Sequence, residues 1–267
     1  MLQQLKSAPG SVVNFFSKTL SVAEMEVRKL RHDPTELITR AVQPALWLLV
    51  FGEVMTRIRL IPTGNLSYLS FMAPGILAQS VLFIAIFYGI AVIWERDLGI
   101  LHKFLVSPTP REALVLGKAL SAGVRALSQV AIIYVLALLI GVGINWNPIN
   151  LSLVLVVAIL ASALFSTFSL IIASLVKTRE RFMGVGQILT MPLFFASNAI
   201  YPLSMMPSWL QAIARVNPLT YAVDAMRGLM VVGGVSTYGV GLDLLVLFAG
   251  VVALVLIGAK VYPKVVT

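Results

Sequence analysis

The sequence predicts an all-α membrane protein with six transmembrane helices. Of its 267 residues, 59% are hydrophobic and only 12% are charged, and the mean hydropathy is +0.95. Soluble domains carry about 25% charged residues, and a single globular core of this length cannot hide so much apolar surface. A helix of about 20 apolar residues spans a bilayer. Six runs approach or exceed this length: residues 35–55, 71–94, 114–144, 151–176, 182–200 and 238–259.

Residues 1–33 precede the spans and are predicted to form a separate N-terminal segment. Apolar residues recur there at intervals of three or four, as on one face of a helix: Phe16, Leu20, Ala23, Val27 and Leu30. Basic residues lie off this face, which predicts an amphipathic helix on the membrane surface, with a soluble arm as the alternative. Asp33-Pro34 followed by Glu36 is typical of a new helix start, so the six-span domain is predicted to cover residues 34–267.

The distribution of Lys and Arg predicts the orientation of the spans. Fifteen of the 20 basic residues lie in the N-terminal segment, in the connections after the second and fourth runs, and near the C-terminus. Four lie in the other connections: Arg57, Arg59, Arg215 and Arg227. Because basic residues concentrate on the cytoplasmic side, both termini are expected in the cytoplasm and the protein in the cell membrane. The scatter of positive charge over many loops also fits this rule better than it fits a nucleic-acid partner.

The connection after the second run, residues 94–113, is patterned as an amphipathic helix. Its apolar residues step by four, three and four: Trp94, Leu98, Leu101 and Leu105. Arg96, Gly99 and Lys103 fall on the opposite face, with Glu95 on a flank. We expect the apolar stripe to fix this helix to the spans and the charged residues to meet another protein. A surface helix that only anchors the second and third spans is equally compatible with the pattern.

Residues 198–234, before the last run, are broken by prolines into pieces too short to cross a membrane. Asn217-Pro218 is typical of a helix start and Gly233-Gly234 of a stop. We expect two short helices that dip into the outer leaflet and return, which is tolerated only where protein covers them or they line a cavity. This segment is therefore the candidate outer gate, with six residues assigned to it: Tyr201, Pro202, Asn217, Pro218, Tyr221 and Arg227.

Two further features lie inside the predicted spans. Arg125, with Gln129 one turn further on the same face, is a candidate contact to an anionic substrate or a lipid headgroup. The alternative is an arginine whose head snorkels to the interface. In the fourth run, small residues at helical spacing indicate close helix packing, either within the chain or at a dimer seam: Ser162, Ser166, Ser169 and Ala173.

The residues that carry chemistry are few. The chain has no cysteine, and its two histidines lie in polar segments, which excludes thiol chemistry and an intramembrane histidine. The phosphate-binding pattern G-x-x-x-x-G-K-[ST] fails at Gly117-Lys118, because Glu112 and Ala119 occupy its other fixed positions. No catalytic, metal-binding or cofactor-binding residue is therefore expected. A self-sufficient ion-coupled carrier remains the alternative, although no acidic residue lies clearly at the middle of a span.

Two stretches resemble a known family. ERDLGILHKFLVSPTPREALVLGK, residues 95–118, resembles the cytoplasmic loop of type-two ABC exporter permeases, which reads roughly E-R-E-x-G-T-L-E-x-L-x-V-S-P-x-x-R-x-E-x-x-x-G-K. NAIYPLSMMPSWLQAIARVNPLTYAVDAMRGLM, residues 198–230, resembles the signature that the same family carries before its last span. The resemblance covers essentially the whole chain and is closest to drug and nodulation-factor exporters, with polysaccharide and lipid exporters open.

The resemblance implies a dimer of six-span subunits, here expected as a homodimer, bound to two separate ATPase subunits that hold ATP and Mg. This chain would then be no enzyme, would contact membrane lipid, and would export an amphipathic, drug-like or lipid-linked substrate. The loop after the second run would be the coupling helix, seated in a cleft of the ATPase. Its expected contact residues are Glu95, Arg96, Asp97, Leu98, Gly99, Leu101, Lys103 and Phe104. Ile100 and His102 depart from the family pattern and leave the choice of ATPase open.

Overall fold

The computed structural model describes residues 42–58, 61–98, 111–176 and 178–261, with the side chains of 111–113 left aside. Every regular element in these ranges is helical, which confirms the predicted class for this part of the chain. The α-helices are α1 (Glu53–Ile58), α2 (Tyr68–Phe87), α3 (Gly89–Asp97), α4 (Arg111–Leu139), α5 (Pro148–Leu175), α6 (Arg179–Phe195), α7 (Ser208–Val216), α8 (Pro218–Met230) and α9 (Val240–Val261). A π-helix, Trp47–Gly52, leads into α1. The predicted N-terminal amphipathic helix lies outside the described residues.

Four helical stretches in these ranges are long and apolar enough to cross a membrane. They are Tyr68–Asp97, Leu114–Leu139, Pro148–Leu175 and Val240–Val261, and they coincide with the predicted second, third, fourth and sixth spans. The predicted first span begins before the described residues. The predicted fifth span corresponds to α6, whose 17 residues give a length of about 26 Å. The total of six therefore stays a prediction.

Local capping signals place several helix ends. The Asn147 side chain accepts a hydrogen bond from the Ile149 amide at 2.9 Å, and the following proline occupies the first helical turn of α5. Helix α4 ends at Leu139, five residues before the end of the predicted third run, and Gly141 adopts φ +76° in the turn that follows. Glycine takes this conformation without strain, so the chain reverses there rather than continuing as helix.

Helix α5 lies at the centre of the bundle and packs against α2, α4, α8 and α9. Its small residues Ser162, Ser166, Ser169 and Ala173 are all buried. The Ser169 hydroxyl donates to the Ile86 carbonyl, and a Cβ on Gly89 would lie 2.3 Å from the Ser169 oxygen. Helices α2–α3 can therefore approach α5 closely only because these residues are small. Of the two interpretations of the stripe, packing within the chain is the one observed.

The connections 61–67 and 140–147 and the segment 198–234 lie together at one end of the bundle. Ile144 and Val231 form an isolated antiparallel bridge, and the Asn145 amide donates to the Met230 carbonyl at 2.8 Å. The Val232 amide donates to the Gly143 carbonyl at 2.9 Å. These backbone bonds, which we call the backbone clamp, join the end of α8 to the connection between α4 and α5. The end of α3 and the start of α6 meet at the opposite end, which we call the charged end.

Candidate functional site

A buried ion pair lies at the charged end. The Lys118 Nζ atom of α4 donates to Glu95 Oε2 of α3 at 2.5 Å, and the two side chains are 3% and 7% exposed. Two charges can be buried this deeply only when they are paired, and removal of one partner from such a pair costs about 3–5 kcal/mol. The pair therefore fixes the last turn of α3 against α4.

A second, more exposed contact ties α3 to α6. Arg179 Nη2 lies 2.8 Å from Asp97 Oδ2, and its guanidinium carbon lies 3.5 Å from the centre of the Trp94 ring. Arg96 also reaches Asp97, at 3.1 Å. Exposed ion pairs contribute about 0.2–1 kcal/mol each, so loss of this contact should disturb the fold less than loss of one partner of the buried pair. The end of α3 thus contacts α4 through a buried pair and α6 through a more exposed one.

The described part of residues 94–113 does not present the predicted faces. The sequence pattern placed Trp94 and Leu98 against the spans and Glu95 toward a partner. In the structure Leu98 is 67% exposed and Trp94 is 50% exposed, whereas Glu95 is 5% exposed. The predicted faces are therefore wrong here: the ion pair with Lys118 draws the Glu95 side chain inward, and Trp94 and Leu98 are not buried against the spans. The expected contact of Leu98 with an ATPase stays a prediction. Gly99, Leu101, Lys103 and Phe104 lie outside the described residues.

The structure also locates the predicted gate residues of the 198–234 segment. Asn217 caps α8 by accepting from the Leu219 amide at 3.0 Å, as the sequence predicted. Its amide nitrogen donates to the carbonyls of Leu193 and Ala196, at 2.7 and 2.9 Å. Pro218 follows in the first turn of α8. Asn217 therefore holds the end of α6 to the start of α8.

The tyrosines of this segment are half-buried and bonded to nearby backbone. The Tyr201 hydroxyl donates to the Phe195 carbonyl, and the Tyr221 hydroxyl donates to the Arg215 carbonyl at 2.6 Å. Leu219, Ala222 and Met226, which recur at intervals of three and four along α8, are fully buried. The segment is thus packed structure rather than a free loop.

Arg227 is a buried basic residue of α8 in this segment. Its Nη2 donates to the Asn198 carbonyl at 2.6 Å, its Nε donates to the Phe71 carbonyl at 3.3 Å, and its guanidinium lies 3.8 Å from the Phe71 ring centre. Burial lowers the pKa of Arg227 to about 10, and the carboxylate of Asp224 opposes this shift. The side chain is therefore a cation at neutral pH, and it lines a cavity of about 350 Å³ together with Asn198 and Pro202.

Sequence reasoning missed the acidic partners in this region. Asp224 is fully buried and accepts hydrogen bonds from the Asn198 amide at 3.3 Å, the Ser236 hydroxyl at 3.0 Å and the Tyr238 backbone amide at 2.9 Å. Ser236 also lies 2.9 Å from Asp243, which is fully buried too. The sequence did carry a signal for Asp224, because it lies three residues before Arg227 in a short apolar segment. Charged residues inside membrane proteins usually mark functional sites.

Polar residues also follow the interface between α2–α3 and α4. One turn along α4 from the Glu95–Lys118 pair, Ser121 contacts Tyr88, and the two hydroxyl oxygens are 2.9 Å apart. The guanidinium of Arg125 lies 5.2 Å from the centre of the Tyr88 ring. Gln129, one turn further, is 1% exposed. The two residues predicted as substrate or lipid contacts thus belong to a line of polar side chains that begins at the charged end.

The described residues offer no evident metal site. Within the described ranges, no group of three or more histidine, aspartate or glutamate side chains comes together. Glu53 and Arg57, four residues apart in α1, form a surface ion pair, with Nε and Oε1 3.3 Å apart.

Comparisons with known proteins find a matching family model and several related sequences. The family model described as "ABC-2 type transporter" matches residues 18–231. The chain is 31% identical over 230 residues to a Cyanophora paradoxa protein named as a transport permease, ycf38, covering 85% of this chain and 78% of the relative. It is 28% identical over 237 residues to the daunorubicin resistance ABC transporter permease protein DrrB1 of Streptomyces coeruleorubidus, covering 89% and 82%. It is 30% identical over 167 residues to an Escherichia coli K12 protein named as a multidrug ABC transporter permease, YbhR, covering 61% and 44%.

Proposed function

Because the chain belongs to the ABC-2 type transporter family, we propose that it is the permease subunit of an exporter driven by a separate ATPase. Permease subunits of this family are membrane proteins and are normally not catalytic, so ATP and Mg are assigned to the partner. The proposed substrate is amphipathic, either drug-like or lipid-linked, and moves outward from the cytoplasm or the inner leaflet. The names of relatives that refer to daunorubicin resistance and multidrug transport support the drug-like class.

The observation that carries the proposal is that the last turn of α3 is exposed on one side and bonded to α4 and α6 on the others. Asp97 and Leu98 lie at the surface, yet the preceding turn is fixed to α4 through the Glu95–Lys118 pair and to α6 through Arg179. An ATPase that pushes on the residues after Leu98 would therefore move α3, α4 and α6 together. A loose connector would absorb such a displacement instead of transmitting it.

Two copies of this chain, with two ATPase subunits, form the proposed complex. The sequence shows no internal repeat that would supply a second half of the transport pathway. Helix α9 presents a row of exposed apolar side chains, which supports contact with lipid or with a second copy: Leu242, Leu245, Phe248, Val252 and Leu256. We place the complex in the cell membrane with both termini in the cytoplasm, on the distribution of basic residues.

Reconstitution with the partner ATPase tests this function. Proteoliposomes that contain both subunits and ATP should accumulate a fluorescent amphipathic drug such as daunorubicin, or a labelled lipid-linked saccharide. A non-hydrolysable ATP analogue should abolish the accumulation. Equal transport by the permease alone, with an ion gradient and no ATPase, would contradict the proposal.

An ion-coupled carrier is the second candidate, and one observation favours it. Asp224 and Asp243 are both fully buried and share the Ser236 hydroxyl, an arrangement that ion-coupled transporters use to bind protons or cations. The same proteoliposomes separate the two candidates, because transport driven by a pH or sodium gradient requires no ATPase. We favour the ABC exporter, since the family match covers most of the chain.

A further inference from the structure

A cavity of about 220 Å³ lies between residues 43–44, helix α2 and helix α4. Three glutamines, one from each of these segments, line it together with a serine and two phenylalanines: Gln43, Gln79, Gln129, Ser80, Phe83 and Phe87. We call it the glutamine cavity. It lies one turn beyond Arg125 on α4, where the line of polar side chains from the charged end stops.

Two of the glutamines are buried with unused hydrogen-bond donors. Gln79 is 2% exposed and Gln129 is 1% exposed, and the Nε2 atom of neither has a hydrogen-bond partner among the described residues. Buried amide groups in proteins are nearly always paired, so two orphaned donors at one cavity require an explanation. The two nitrogens have almost no accessible surface in this conformation, so each amide must turn toward the cavity, which has room for a polar molecule, in order to donate to it.

The lining restricts the chemistry of that molecule. Among the described residues that form the cavity, none carries an ionisable side chain. A charged group would therefore lose its hydration here without gaining a counter-charge. Phe83 and Phe87, whose ring centres are 6.1 Å apart, add an aromatic wall. Amide donors beside aromatic rings suit an uncharged ring that bears hydroxyl, ether or carbonyl oxygens.

We propose that the glutamine cavity binds the uncharged, oxygen-bearing ring of an amphipathic substrate. This inference rests on the proposed exporter function and specifies the class of group that the permease recognises. The Gln43 side chain is exposed at the edge of the cavity, so the apolar part of the same molecule can stay in the surrounding lipid. Gln79 and Gln129 donate to the ring oxygens from within.

A single cysteine provides the test, because the chain has none of its own. Ser80→Cys places a thiol in the cavity wall, and the rate of its alkylation by N-ethylmaleimide is measured in phosphatidylcholine vesicles. Octyl glucoside, below its micellar concentration, is the neutral probe, and octyltrimethylammonium is the charged probe of equal chain length. Ligand at ten times its Kd should slow alkylation about ten-fold. The glucoside should protect and the ammonium should not.

Gln79→Leu with Gln129→Leu removes both donors while keeping similar volumes. Because orphaned amides destabilise a fold, this variant should unfold at the same temperature or higher, yet the glucoside should no longer protect the thiol introduced by Ser80→Cys. Ser152→Cys, on the exposed start of α5, should react equally with and without either probe. Absence of protection by the glucoside, equal protection by both probes, or protection that survives in the double-leucine variant would each overturn the proposal.

These outcomes do not depend on the ATPase. The alkylation assay contains only the permease, whereas the proposed exporter function is judged by ATP-dependent transport. A cavity that fails to bind the glucoside in a permease that still transports with ATP refutes the cavity alone. A cavity that binds the glucoside in a permease that never uses ATP refutes the exporter instead.

Discussion

Replacement of Lys118 by methionine tests whether the charged end depends on its buried ion pair. The variant removes the ammonium 2.5 Å from the Glu95 carboxylate, whose side chain is 7% exposed. Loss of one partner from such a pair costs about 3–5 kcal/mol. In a chain of this size each kcal/mol lowers the melting temperature by about 2–4 °C, so Tm should fall by about 6–20 °C.

The measurement is thermal unfolding of the detergent-solubilised protein, followed by tryptophan fluorescence. Arg57→Met is the matched control, because it breaks an ion pair whose side chains are 79% and 48% exposed. Such a pair contributes about 0.3–0.5 kcal/mol, so this control should lower Tm by less than about 2 °C. The double variant Glu95→Met with Lys118→Met should recover most of the loss, since well-packed apolar residues replace buried pairs at little cost.

Loss of the buried ion pair should also affect transport. If the pair transmits movement from α3 to α4, Lys118→Met should uncouple ATP hydrolysis from transport while the ATPase still binds. If Lys118→Met unfolds within about 2 °C of the unmodified chain, like the Arg57→Met control, the charged end does not depend on the buried pair. A double variant no more stable than the single one would show that Glu95 is not left as an unpaired buried charge.

Three further predictions concern other parts of the chain. Arg96→Glu should weaken retention of the ATPase during co-purification, whereas the control Arg57→Glu should leave retention unchanged. Equal retention by the two variants would show that Arg96 does not contact the ATPase. Ala222→Cys, at a fully buried position of α8, should react slowly with aqueous maleimide, whereas Val216→Cys, at a position that is 82% exposed, should react fast. Similar reaction rates would contradict the packing of the 198–234 segment. Gly89→Ala adds a methyl 2.3 Å from a neighbouring hydroxyl oxygen and should lower the free energy of unfolding by about 1–3 kcal/mol, and unchanged thermal unfolding would disprove that close approach.

The features that the sequence predicts well depend on neighbouring residues. The apolar runs anticipated four observed helices, and Asn217-Pro218 anticipated the start of α8, because length and capping are local properties. The surface pair of Glu53 and Arg57 followed from their spacing of four. In each case the residues that decide the structure lie within one or two helical turns of each other.

The features that sequence analysis missed depend on residues that are distant in the chain. Periodicity assigned Leu98 to the buried face, because it ranks residues by apolarity and cannot detect that Glu95 pairs with Lys118, 23 positions away. The partners of Asp224 come from three other positions in the segment and the loop that follows α8. Similarly, no local pattern marks the glutamine cavity, whose three amides come from three separate stretches of the chain.

Helix α4 joins the two ends of the bundle as a single rod. Its 29 residues extend about 44 Å, with Lys118 in the ion pair near one end and the backbone clamp of residues 143–145 just beyond the other. Helix α4 packs along α5 between these two ends, so a tilt of α4 about that contact would displace its two ends in opposite directions. We therefore expect a displacement of Lys118 by α3 to shift the connection 140–147 and, through the backbone clamp, the 198–234 segment.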